Sequence, residues 1–111
     1  MRDRDYTLLS RMLEFSKRIK RRTLGISITE FLESDDLQDM ILYAIGQVGE
    51  NANAVSDEVR DAYPNILWSA VIGIRNRVFH SYGDIDMTIV YEAIIDHTPL
   101  LIQQLEDILK A

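Results

Sequence analysis

A chain of 111 residues, 47% hydrophobic and 27% charged, is the size of one domain with a real core, which excludes a disordered or collagen-like polymer. It has no cysteine, so disulfides, thiolate metal sites and a catalytic thiol are excluded, as expected of a reducing, cytoplasmic setting. The net charge of −6 argues against indiscriminate nucleic-acid binding, although residues 1–22 carry +5 and residues 23–111 carry −11.

The start, MRDRDYTLLSR, lacks the apolar core of a signal peptide, and no run nears the ~20 apolar residues that cross a bilayer. No membrane association is expected. Leu9, Met12, Leu13, Ser16 and Ile19 recur every three or four residues and predict an amphipathic helix over residues 5–22, stopped near Gly25. Its end is the basic cluster Lys17, Arg18, Lys20, Arg21, Arg22, which can meet phosphates or simply suit the C-terminal helix dipole.

Ser27-Ile28-Thr29-Glu30 has the form of a capping box and predicts a helical turn through Phe31 and Leu32. Ser34 is a second cap. It opens a helix whose inner face is Leu37, Ile41, Ala44, Ile45, Val48 and Ala52, with Gly46 and Gly49 suited to close helix packing. Ser56 can cap one more turn, ended by Tyr63-Pro64 because the residue before proline disfavours the helical region.

A third long helix is predicted from Ile66 to Phe79, with apolar residues around nearly its whole circumference. Such a helix should be central, or shared with a second subunit. Gly83 breaks the pattern and Asp86 caps a fourth helix over residues 87–110, kinked at Pro99. No strand-like alternation intervenes. The expected fold is all-α, an antiparallel up-and-down four-helix bundle with short extra helical turns, in one domain spanning residues 1–111.

The third helix ends in a polar run, RNRVFHSY, residues 75–82. Histidine exchanges protons near neutral pH, while arginine stays charged and grips two phosphate oxygens at once. Together they suit metal-free cleavage of RNA, in which a base removes the 2′-hydroxyl proton and a cation stabilises the crowded phosphorus.

Helical geometry sets a condition. At ~100° per residue, Arg75 and His80 lie about 140° apart on an unbroken helix, whereas Asn76 and His80 share a face. The pair can converge if the helix frays before Gly83, or if two copies each contribute to one cleft. Asn76 is then suited to hold the imidazole, and Tyr82 follows Arg75 by seven residues on its face. A solvated helix end is the other reading of the same residues. A metal site is not expected, because His80 and His97 stand seventeen residues apart without a ligand motif.

The motif and its surroundings resemble a known family. Arg75, His80 and Tyr82 match the R-x4-H-x-Y motif of the HEPN superfamily, and the wider pattern is similar to HepT-like ribonuclease toxins. The likeness includes Val48-Gly49-Glu50, Tyr63-Pro64, Trp68, Ile72-Gly73-Ile74, Ile85-Asp86, Val90-Tyr91 and Pro99-Leu100. Asn51 and Leu67 depart from it, where a small residue and a proline are common.

The resemblance implies a helical homodimer that cleaves RNA without metal or cofactor, as the toxin of a type VII-like toxin–antitoxin system. Arg75 and His80 would be catalytic and Asn76 supporting, with Arg77, Lys17, Arg18 and Arg21 as possible RNA contacts. It also implies a minimal nucleotidyltransferase antitoxin that transfers AMP to Tyr82. A non-catalytic subunit that binds a nucleotide or docks that partner is the alternative.

Overall fold

A computed structural model describes residues 1–110. Six α-helices and one 3-10 turn follow one another: α1 Asp3–Thr23, α2 Ile28–Glu33, α3 Asp35–Ala54, α4 Asp57–Ala62, α5 Trp68–His80, the 3-10 turn Tyr82–Asp84, and α6 Met87–Lys110. The described residues form an all-α bundle of four long helices, with α2 and α4 as short connecting helices.

Local chemistry fixes the helix boundaries. The Ser27 hydroxyl accepts from the Glu30 N–H while the Glu30 carboxylate accepts from the Ser27 N–H, completing the expected box. Ser34 accepts from the Leu37 N–H, Ser56 from that of Val59, and Asp86 from that of Thr88. Past the end of α1 the chain turns at Gly25 with φ +75°, a conformation glycine adopts without a Cβ penalty. Helix α6 runs on through Pro99.

Cross-helix pairs give the directions. Asp5, at the start of α1, accepts from the Ser56 backbone N–H at 2.9 Å and its hydroxyl at 2.8 Å, just past α3, so α1 and α3 are antiparallel. Lys17 meets Glu106 while the Tyr91 hydroxyl donates to the Ile26 carbonyl, so α6 runs antiparallel to α1. Leu9, Met12, Phe31, Ile41, Leu105 and Val55 fill the interior between them.

The packing order is α6, α1, α3, α5. Of the two places expected for the third long helix, central or shared with a second subunit, the centre of the chain's own bundle is not the one it takes. Helix α3 is central, packed by α1 on one side and α5 on the other; of the predicted stripe it buries Ile41, Ala44, Val48 and Ala52 and leaves Leu37 and Ile45 half-buried, and it adds Leu42, Gly46, Gly49 and Asn51. Buried Asn51 is satisfied internally, its amide donating to the Gln47 carbonyl at 2.7 Å.

Helix α5 buries only Trp68 and Val78, and it leaves Ile74 and Phe79 exposed. Its apolar circumference exceeds what one chain covers. Between α5 and α6 opens a largely apolar cleft of about 440 Å³, lined by Val71, Ile74, Ile94, His97 and Leu101 among others. No helix among the described residues is long and apolar enough to cross a membrane.

Candidate active site

The motif occupies the last two turns of α5 and the 3-10 turn beyond. Close approach of α5 to α3 is built on Gly49. A Cβ there would fall 2.2 Å from the Arg75 Cβ and 2.9 Å from the Val71 carbonyl, both far inside van der Waals contact. The missing methyl lets the two backbones meet.

That approach brings Arg75 to the next residue of α3. Its Nε–H donates to the Glu50 carboxylate at 2.7 Å, and its Nη1 donates to the Asn76 side-chain carbonyl at 2.8 Å. The guanidinium also lies 5.3 Å from the centre of the Phe79 ring. A carboxylate, an amide and a ring fix the plane of a cation with five N–H donors, leaving the donors of Nη2 for another acceptor.

Asn76 therefore serves the arginine. The sequence reading set it against the His80 imidazole, with which it shares a face, but the shorter reach is to its neighbour in the chain. His80 is exposed. Helix α5 stays helical through His80, so the fraying that was to swing it towards Arg75 does not occur, and one chain presents the two on different faces.

Tyr82 leaves the helix after the Ser81 cap, and its hydroxyl donates to the Asp39 carboxylate of α3. That hydrogen bond, with partial burial and the charge of Asp39, raises the phenol above its ordinary value of 10.0. Arg75 and Tyr82 both face α3 but meet it eleven residues apart, or about 16 Å along its axis.

Of the suggested RNA contacts, Lys17 lies 3.8 Å from Glu106 and Arg18 lies 2.5 Å from Glu14, while Arg21 and Arg77 are exposed without an acidic partner among the described residues. Two acidic residues went unassigned in the sequence: Glu50 and Asp39. Glu50 was visible inside the motif-like Val48-Gly49-Glu50, but nothing local marks Asp39, whose role depends on where the 3-10 turn lands. His97 lines the α5–α6 cleft, and no three His, Asp or Glu side chains gather as metal ligands among the described residues.

Comparison with known proteins follows the same outline. A family model described as ribonuclease HepT-like matches residues 12–108. A protein of Methanocaldococcus jannaschii named as a candidate RNase is 24% identical over 95 residues, covering 86% of this chain and 87% of the relative. One from Caldanaerobacter subterraneus subsp. tengcongensis, also named as a candidate RNase, is 24% identical over 102 residues, covering 92% and 91%. A Thermococcus cleftensis protein carrying the name probable ribonuclease HepT is 22% identical over 107 residues, covering 96% of each chain. No solved structure matches significantly. With the family model spanning nearly all of a helical bundle that ends its fifth helix in this motif, the chain belongs to the HepT-like ribonuclease family.

Proposed function

We propose that the protein is a metal-independent RNA endonuclease, the toxin of a toxin–antitoxin pair, with Arg75 and His80 as its catalytic residues. The observation that carries this reading is the preset guanidinium: Arg75 is held by Glu50, Asn76 and Phe79 with donors to spare, and the same helix ends in an exposed imidazole, that of His80. In the proposed reaction His80 takes the proton of a ribose 2′-hydroxyl, and the oxygen attacks the adjacent phosphorus. Arg75 stabilises the charge on the phosphoryl oxygens. The bond to the 5′-oxygen breaks, that oxygen takes up a proton, and a cyclic phosphate remains.

The divergent faces of Arg75 and His80 favour a homodimer, in which the arginine of one copy works with the histidine of the other. Leu67, Ile74 and Leu100, exposed beside the α5–α6 cleft, supply apolar surface for a second copy. Tyr82 is then the acceptor of AMP from a nucleotidyltransferase antitoxin: its oxygen attacks the α-phosphorus of a nucleoside triphosphate, pyrophosphate leaves, and Asp39 accepts the hydroxyl proton. Added phosphate would carry negative charge into a site built for RNA.

A second reading, a non-catalytic subunit that docks the nucleotidyltransferase, draws on Glu50, because a guanidinium already paired with a carboxylate attracts phosphate less. Cleavage of RNA by the purified protein in excess EDTA separates the two. The nuclease reading expects cutting that His80→Ala and Arg75→Ala each reduce by about 10²-fold or more. Equal cutting by protein and variants, or none by the unmodified protein, sinks it.

A further inference from the structure

Four residues of α3, Asp39, Tyr43, Gly46 and Glu50, follow one another at steps of four, three and four, and so share one face. Three of them are engaged by the motif region. Asp39 accepts from Tyr82, Glu50 holds Arg75, and Gly46 leaves the notch in which the Phe79 ring lies, 3.2 Å from where a Cβ would stand.

Tyr43 is supported from the opposite side, by α1. Phe15 meets its ring edge-on, with centroids 6.1 Å apart and planes at 72°, and the Arg18 guanidinium lies 4.9 Å from the Phe15 centroid. Tyr43 is 60% exposed, Phe79 51% and Tyr82 47%. Single exposed aromatics are ordinary, but these share one stripe, with Arg75 at its Glu50 end and Arg18 on Phe15 at the flank of Tyr43.

We propose that this stripe is a track for single-stranded RNA, on which Tyr43 and Phe79 stack unpaired bases while Arg75 holds a phosphate at one end and the basic last turns of α1 hold phosphates on the approach to Tyr43. The idea rests on the RNA-cleavage reading and names the form of its substrate. Aromatic rings beside cations are the common means of gripping a strand whose bases are free, since every base has a π-face. A duplex keeps its bases stacked inside and has nothing to offer Tyr43.

Charge supports this occupant. The C-terminal half of α1 carries Lys17, Arg18, Lys20, Arg21 and Arg22, and the last three have no acidic partner within ion-pair distance among the described residues. Asp39, the acidic residue of the stripe nearest that end, is engaged by Tyr82. A strand entering over the basic turns would cross Tyr43 and Phe79 before reaching Arg75. The rise from Tyr43 to Glu50 along α3 is about 10 Å.

The test measures binding of a short fluorescein-labelled 2′-O-methyl RNA, which lacks the hydroxyl needed for cleavage, to the intact protein and its variants by anisotropy. Tyr43→Ala should weaken binding by about tenfold or more, Tyr43→Phe should bind as the parent does, and a duplex of the same sequence should bind less tightly than the single strand. Tyr43 is exposed, so the variant keeps the core intact, and circular dichroism checks the fold.

Unchanged affinity in Tyr43→Ala with reduced affinity in Arg75→Ala would overturn the track and leave the nuclease reading standing. Equal losses in the Ala and Phe variants would indicate a hydroxyl contact, also against stacking. A Tyr43→Ala variant that changes its elution volume while keeping its RNA affinity would make the stripe a protein interface. No RNA binding or cleavage by the intact, unmodified protein would overturn both.

Discussion

Arg75 on α5 and Glu50 on α3 form an ion pair at 2.7 Å, across a helix contact that Gly49 makes possible. The pair is half open to water, with side chains 26% and 48% exposed, so its role is to aim a charge more than to hold the fold. Glu50→Gln should shift folding stability by less than about 1 kcal/mol. If Arg75 works only in this orientation, the same variant should lower RNA cleavage by roughly 10–100-fold, read as a fall in kcat at unchanged melting temperature.

Gly49→Ala is expected to act on both. The added carbon has no room against the Arg75 Cβ or the Val71 carbonyl, so α5 must move away from α3. Overpacking of this kind costs about 1–3 kcal/mol, measurable by urea denaturation, and cleavage should fall with it. Gly46→Ala is the milder control, since it meets the edge of a half-exposed Phe79 ring that can shift.

Asp5 should report itself in acid. It is 3% exposed, and its carboxylate is held below its ordinary value of 3.8, first by the backbone N–H of Ser56, with the Ser56 hydroxyl adding to the effect and burial opposing it. A lowered folded value means the stabilisation is complete above the unfolded value and is lost as pH falls through the folded one. Denaturation midpoints should therefore drop below about pH 4. Asp5→Asn, less stable at neutral pH, should show a flatter acid limb.

Tyr82 has the opposite sign. Its hydrogen bond to Asp39 raises the phenol above 10.0, so the contact stabilises the fold below the unfolded value and is lost as pH rises through the folded one. Absorbance titration should show one tyrosine ionising late, and Asp39→Asn should return it towards the ordinary range. In co-expression with a nucleotidyltransferase antitoxin, intact mass should rise by one or more AMP units in the parent protein. Tyr82→Phe should abolish the gain, and Asp39→Asn should slow it.

Most helix limits were legible in the sequence because each is a local event. Ser27, Ser34, Ser56 and Asp86 cap with their own side chains, and Gly25 turns with its own φ. The family was legible as well, since a motif with flanking residues survives in one linear pattern. Relations between distant segments were not. The periodicity of α5 counts its apolar faces but not its neighbours, and α3 proved the central helix because Gly46 and Gly49 admit α5 on one side. Asn76 was misdirected by the same limit: spacing matched it to His80, while the arginine beside it, turned by Glu50, took its carbonyl.

A helix buttressed mainly along one flank is the part of a bundle that opens first, and α5 leaves most of its surface uncovered. Its amides should exchange with deuterium before those of α1 and α3. Any molecule that settles on α5 then adds stability that grows with the logarithm of its concentration above the dissociation constant. Protection of those amides becomes a single gauge on which RNA, a nucleotidyltransferase or a second copy can be ranked. A molecule that closes over α5 would thereby steady the helix that carries Arg75 and His80.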